Sequence, residues 1–222
     1  MIYSYAKFIR EDGFNEDFKS YSTIGVLRYL PTDLFWELLR ASCICPEQLP
    51  ARAGTMESFE MWPRWRNVDG TKNSEAVEPD VFIRFSHFDL IVEAKKKDFG
   101  GQDPGQWKNE TVAYRNEYGD KKAVFLLALG GNDNLNRIAD KEFEHVHKAL
   151  WTNLLRAVHD CREQRLALSF KSEATGQEIR ILEAVEEAFV QYNEYVVDLL
   201  ESIPRQNRCF SSLNIHNVWP MN

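Results

Sequence analysis

Residues 79–95 read Pro-Asp-Val-Phe-Ile-Arg-Phe-Ser-His-Phe-Asp-Leu-Ile-Val-Glu-Ala-Lys. Two short runs, 80–85 and 88–93, are rich in Val, Ile, Leu and Phe and are bounded by polar residues, which is the pattern of β-strands. With Ser86-His87 between them, they predict an antiparallel hairpin. A pairing centred on that dipeptide sets Arg84 opposite Asp89 and Asp80 opposite Glu93. Opposite charges across a ladder stabilise it by roughly 0.2–1 kcal/mol, so Arg84 and Asp89 support this register independently. Ser-His is an unusual two-residue turn, a place that favours Gly, Asn or Asp. A four-residue loop from Phe85 to Phe88 keeps the same register.

The register separates two faces. Val81, Ile83 and Phe85 lie with Val92, Leu90 and Phe88 on a wholly apolar face that should enter the core. Asp80, Phe82 and Arg84 lie with Glu93, Ile91 and Asp89 on the other. Lys95, two residues beyond Glu93, projects to the same side as the acids. Two carboxylates directly opposite one another repel. A divalent cation compensates, because carboxylate oxygens are ligands that Mg²⁺ prefers. Such an ion polarises a phosphate and lowers the pKa of bound water, and a neighbouring ammonium stabilises the developing charge. Glu-x-Lys and Pro-Asp are each common on solvated strands. Their alignment across one hairpin is what gives them weight.

At these residues the chain resembles the PD-(D/E)XK nuclease superfamily, which has the restriction-endonuclease-like fold. Pro79-Asp80 matches the first half of the motif and Glu93-Ala94-Lys95 the second. The resemblance implies that Asp80 and Glu93 bind Mg²⁺, with Mn²⁺ able to substitute, and that Lys95 assists the attacking water. It also implies an α/β core ordered helix, three antiparallel strands, helix, strand. Residues 32–42 predict the first helix, with Thr32 as N-cap. Residues 56–65 predict the first strand, 105–117 the second helix and 122–129 a buried strand. Some branches of the family carry an acid on the first helix. Glu37 holds that place here, the alternative being an ordinary exposed helical glutamate. Some branches carry a glutamine and a tyrosine after the lysine. Gln106, Glu110 and Tyr114 share one helical face, but the family spacing puts Tyr four residues after Gln, where this chain has Glu110. The resemblance therefore extends to Gln106 as a catalytic residue and only weakly to Tyr114.

The expected fold is thus a mixed sheet of about four strands flanked by helices, followed by a C-terminal helical pair. Residues 1–137 form the α/β core with an N-terminal extension, and residues 138–222 a helical part packed on it. Phe143, Val146, Leu150, Leu154, Ala157, Val158 and Cys161 follow a helical period. So do Ile179, Leu182, Val185, Phe189, Tyr192, Val196, Leu199 and Ile203. These helices predict an antiparallel pair and offer a surface for a homodimer or a partner subunit. The tail from 204 to 222 carries Trp219 and Pro220 near its end. His145, His147 and His159 suggest a metal cluster only faintly, since the first two, two apart, do not share a helical face, and they are read as surface or helix-packing residues.

The chain has 222 residues and a formal net charge of −7. That charge argues against a strong autonomous DNA binder, since such affinity rests on phosphate neutralisation. Basic clusters at Arg64 and Arg66, at Lys95 to Lys97, and at Lys121 and Lys122 are the candidate contacts to nucleic acid; the alternative for each is solvated surface. No apolar run reaches the length of a membrane span, and the first thirteen residues lack a signal-peptide core. Cys43, Cys45, Cys161 and Cys209 form no Cys-x-x-Cys pair and predict free thiols in a reducing cytoplasm. The expected activity is Mg²⁺-dependent hydrolysis of DNA phosphodiesters, with restriction or phage defence implied by the resemblance. The alternative is a catalytically silent nuclease-like module that binds nucleic acid or a protein partner. A different hydrolase class lacks support, since no phosphate-binding glycine loop or Gly-x-Ser-x-Gly elbow is present.

Overall fold

A computed structural model describes residues 16–196. In chain order it contains α1 (Glu16–Leu27), α2 (Thr32–Ser42), β1 (Met56–Met61), β2 (Val81–Phe85), β3 (Asp89–Ala94), α3 (Pro104–Tyr118), β4 (Val124–Leu129), β5 (Val146–Ala149), α4 (Trp151–Leu166) and α5 (Glu173–Val190). Two short 3₁₀ turns, Pro46–Gln48 and Lys141–Phe143, complete the described elements. The architecture is α/β.

The five strands form one mixed sheet in the order β1-β2-β3-β4-β5. β1, β2 and β3 are antiparallel neighbours, whereas β4 and β5 run parallel to β3. The β2–β3 register is the expected one: Val81 opposes Val92, Ile83 opposes Leu90 and Arg84 opposes Asp89. The unfavoured Ser86-His87 turn is stabilised by a distant segment. Ser86 donates its N–H to Thr55 O at 2.8 Å and accepts from Thr55 N at 3.0 Å through its hydroxyl. Gly54 permits this approach, because its φ is +78° and a Cβ there would lie 2.1 Å from Ser86 Oγ.

Both faces of the sheet are covered. Val81, Ile83, Phe85, Leu90 and Val92 pack with Ile24 of α1, Trp36 and Leu39 of α2, Leu154 of α4 and Leu182 of α5. Phe82, Ile91, Leu126 and Ala128 pack on the opposite side with Trp107, Ala113 and Tyr114 of α3, and with Trp65 and Val77 from the long β1–β2 connection. Double coverage explains why β3 is buried at every position. α3 starts sharply because Asp103 accepts from Gly105 N at 2.8 Å and Pro104 takes the first helical position. α2 begins without a side-chain cap: Pro31 holds the capping position, and Thr32, expected there, is already helical.

Two expectations for the C-terminal half need correction. The sheet has five strands rather than about four, and residues 138–222 are not wholly helical, since Val146–Ala149 form β5. Val146 and Leu150 mimic a helical stripe that continues into α4, but Leu126 N–H bonds to His145 O and β4 pairs with the segment that follows. The end of α2 covers the outer edge of β5, through Ile44 N–H to Lys148 O at 2.9 Å and Leu150 N–H to Ser42 O at 2.9 Å. α4 and α5 do form a packed pair, joined by Arg165–Glu178 and Arg162–Glu186 ion pairs, each at 2.6 Å. α5 ends at Val190, so Tyr192 and Val196 lie beyond it; Leu199, Ile203, the tail with Trp219 and Pro220, and Cys209 lie outside the described residues. Cys43, Cys45 and Cys161 are free. Among the described residues, no helix is long and apolar enough to cross a membrane.

Candidate metal centre

Three carboxylates converge where β2 begins and β3 ends. Glu16, Asp80 and Glu93 each offer one oxygen, and these oxygens lie within 4.8 Å of one another. Asp80 directly precedes β2, and Glu93 is the penultimate residue of β3. Their proximity follows from the hairpin register. Asp80 Oδ2 accepts the Ala94 N–H at 2.7 Å, which fixes the carboxylate and leaves its other oxygen for the centre. Glu16 comes from the first turn of α1 and is tied by its Oε2 to the Lys96 N–H at 3.0 Å.

Lys95 lies among these acids. Its Nζ forms a short ion pair with Glu93 Oε1, stands 3.6 Å from Glu16 Oε1 and donates to Gln106 Oε1 at 3.5 Å. Burial works against the ammonium, but the Glu93 hydrogen bond and the charges of Glu93, Glu16 and Asp80 outweigh it, so its pKa is raised. Desolvation raises the Asp80 pKa well above its ordinary value, and the Glu93 charge adds to this. Glu16 is also raised, by burial first, against the opposing pull of Lys95.

Glu110, one turn after Gln106 on α3, is 1% exposed. Its carboxyl group lies against that of Glu93 and the Gln106 amide, closely enough to Glu93 to share a proton with it. It faces Glu93, Asp80 and Gln106, and burial followed by the Glu93 charge pushes its pKa far upward.

The backbone carrying Lys95 is held on every side. Lys95 N–H bonds to Leu129 O at 2.8 Å, and Trp151 Nε1 donates to Lys95 O at 2.6 Å. Gly131 N–H reaches Lys97 O at 2.6 Å. The Asp98 carboxylate caps α4 by accepting from Trp151 N at 2.6 Å and Thr152 Oγ1 at 2.7 Å. Gln102 Nε2 donates to Glu93 O at 3.0 Å. Lys19, one turn beyond Glu16 on α1, is fully buried. Its ammonium lies 4.5 Å from the Trp151 ring centre and 5.2 Å from that of Tyr192, donates to Lys96 O at 3.0 Å and pairs with Glu194 at 2.7 Å. This contact joins α1 both to the lysine segment and to the chain that follows α5.

Comparison with protein-family models, curated proteins and solved structures finds no match.

The donor set fits a hard divalent cation: it is all oxygen, it is anionic, and it includes buried carboxylates that a lone lysine does not neutralise. Of the residues singled out from the sequence, Asp80, Glu93, Lys95 and Gln106 come together. Glu37 does not; it is exposed on α2 and faces Cys161 of α4, and Glu16 takes the place it was expected to fill. Tyr114 is also elsewhere, its hydroxyl donating to Asp89 at 3.0 Å. Lys96 and Lys97 are exposed immediately beyond Lys95. Arg64 and Arg66 are exposed on the β1–β2 connection, with Arg64 paired to Glu75 at 3.5 Å. Lys122 is not a free basic contact, because it pairs with buried Asp89 at 2.8 Å. Two acids at the centre escaped sequence reasoning. Glu16 has no motif of its own, and Glu110 was visible only as a glutamate at i+4 from Gln106.

Proposed function

We propose that this chain is a divalent-cation-dependent nuclease that hydrolyses DNA phosphodiester bonds, built on the restriction-endonuclease-like fold. The observation that carries the reading is the approach of the Glu16, Asp80 and Glu93 oxygens to within 4.8 Å, with the Lys95 ammonium bonded to Glu93. The order α2, β1, β2, β3, α3, β4 supports it, being the order that the motif resemblance implies.

Glu16, Asp80 and Glu93 would hold the ion. A bound Mg²⁺ supplies phosphate polarisation and an acidified water. Lys95, kept protonated by its acidic neighbours, is aimed to orient the nucleophilic water and to stabilise charge on the phosphate. Gln106 fixes the lysine from α3. Lys96 and Lys97 are the nearest exposed cations for a flanking phosphate. A role in restriction or phage defence is part of the same reading.

The net charge of −7 favours a second reading, a silent module that binds nucleic acid or a protein. Retention of both acids and the lysine speaks for the first. Supercoiled and linear DNA incubated with Mg²⁺ or Mn²⁺ separates the two. Cleavage is expected in the wild type and should fall about 10²-fold or more in Asp80→Ala and Lys95→Ala. No cleavage by the wild type, or cleavage as strong as wild type in both variants, sinks the nuclease reading.

A further inference from the structure

A cavity of about 390 Å³ opens on the α3 side of the sheet, within the range of small-molecule pockets, about 300–1,000 Å³. Trp107 and Phe143 form its apolar corner, with ring centres 5.7 Å apart and planes at 79°. Its polar wall includes Asn132, Asn134, Arg137 and Lys148. Asn132 is 1% exposed. Its Nδ2 donates to Ala128 O at 3.1 Å, Gly130 O at 3.1 Å and Ala149 O at 3.0 Å, which fixes the amide and leaves Oδ1 without a donor. A buried acceptor in that state favours a ligand that brings an N–H. The two cations of the lining stand with two acids, Asp133 and Asp140, so its charges balance. Such a cavity suits a neutral, flat group with donors and acceptors around its edge rather than a phosphate or an ion.

One side chain joins the cavity to the centre. Gln102 Oε1 accepts from Trp107 Nε1 at 2.6 Å, and Gln102 Nε2 donates to Glu93 O at 3.0 Å. The aromatic wall and the strand that carries Glu93 are thus bridged by a single amide.

We propose that this cavity receives one unstacked nucleobase of the DNA strand whose phosphate is held at the centre. The proposal rests on the nuclease reading and deepens it by naming the substrate class: DNA with an unpaired base near the scissile phosphate, either single-stranded or mismatched. A base offers its ring to the aromatic corner and its hydrogen-bonding edge to the amides. Extracting it from a matched duplex costs pairing and stacking, and the cost is least where the base is mismatched or the strand already single.

The test is fluorescence anisotropy of the full chain in Ca²⁺ with a labelled single strand, a duplex carrying one mismatch and the matched duplex, followed by cleavage of the same DNAs in Mg²⁺. The first two are expected to bind about ten-fold or more tighter than the matched duplex. Ala139 is exposed and lines the cavity. Ala139→Trp, its fold checked by circular dichroism, should fill the space and bring the three affinities within a few-fold, with Mn²⁺ affinity unchanged. Phe143→Ala should weaken the preference in the same direction. Equal wild-type affinities, or a full preference in Ala139→Trp, overturn the proposal. So does a free deoxynucleoside monophosphate that binds the wild type as tightly as the single strand and does not bind Ala139→Trp, since the cavity then serves a free nucleotide. Equal cleavage of all three DNAs, without preference in binding, defeats the cavity and leaves the nuclease. Preference in binding without cleavage upholds the cavity and defeats the nuclease. Failure to bind any of the three defeats both.

Discussion

The Trp151 indole N–H donates to the Lys95 carbonyl oxygen at 2.6 Å, joining the first residue of α4 to the residue that supplies the ammonium of the centre. Replacing Trp151 by Phe keeps an aromatic ring near Lys19 but removes this donor. Loss of a buried hydrogen-bond partner costs about 1–3 kcal/mol. A urea melt should show that loss. Cleavage by Trp151→Phe should fall on the order of ten-fold or more through misplacement of Lys95, with Mn²⁺ affinity unchanged. Unchanged cleavage would mean that the other bonds to the segment suffice.

Gly131 gives a sharper probe of the same lysine. It has φ +64°, and a Cβ there would lie 2.5 Å from Lys95 Cγ and 2.6 Å from Lys95 Cβ. Gly100, on the following loop, has φ +79° with nothing within 4 Å. Alanine at either position bears a backbone cost of about 1–2 kcal/mol. Only Gly131→Ala must also displace Lys95. Its cleavage should resemble that of Lys95→Ala, while Gly100→Ala stays within a few-fold of wild type in the same assay.

Asp80→Asn separates stability from metal binding. An asparagine oxygen can still accept the Ala94 N–H, while the repulsion from Glu93 disappears. The metal-free variant should be as stable as wild type or about 1 kcal/mol more stable. Wild type in Mn²⁺ at a hundred times its Kd should gain about 2.7 kcal/mol, and the variant little. Thermal unfolding with and without Mn²⁺ measures both. A full Mn²⁺ shift in Asp80→Asn would exclude Asp80 as a ligand.

His147 of β5 predicts an acid-sensitive step unrelated to the centre. Its ring is 7% exposed, Nε2 has no partner, and burial lowers its pKa from 6.5 to about 4, with the His145 charge adding to this. The unfolded chain therefore binds this proton more readily than the folded one. The stability tied to neutral His147 is complete above pH 6.5 and is lost as pH falls from 6.5 toward 4. Discounted for partial solvation, the loss is about 2 kcal/mol. Urea melts of wild type and His147→Leu across that range should diverge in slope, the variant being flatter. Parallel slopes would show that the histidine stays solvated.

The hairpin was legible because its two signals were local and agreed: apolar alternation set the faces, and Arg84 with Asp89 set the register. α2, α3 and β4 were legible for the same reason, each carrying its own period or cap. β5 was not, because four residues give too little alternation to outweigh the helical spacing that runs on into α4. The Ser86-His87 turn looked unfavourable since its stabilising partners, Ala53 to Thr55, are more than thirty positions away. Glu16 failed for a similar reason. Its place in the centre depends on how α1 packs, and Lys19, the residue that anchors that packing, looks in the sequence like any surface lysine. Glu37, by contrast, has apolar neighbours on both sides and yet points outward, because a helix turns 100° between adjacent residues.

The Lys19 anchor also fixes an order of assembly. Asp80, Glu93 and Lys95 are joined by one hairpin, so they meet as soon as that hairpin closes. Glu16 reaches them only when α1 has docked, and the ammonium one turn away finds its rings and its carboxylate on α4 and on the chain after α5. A nascent or shortened chain that stops before α5 would therefore display the whole sequence motif with a ligand missing. Among the described residues, the carboxylate cluster is complete only once α5 and the chain that follows it are in place.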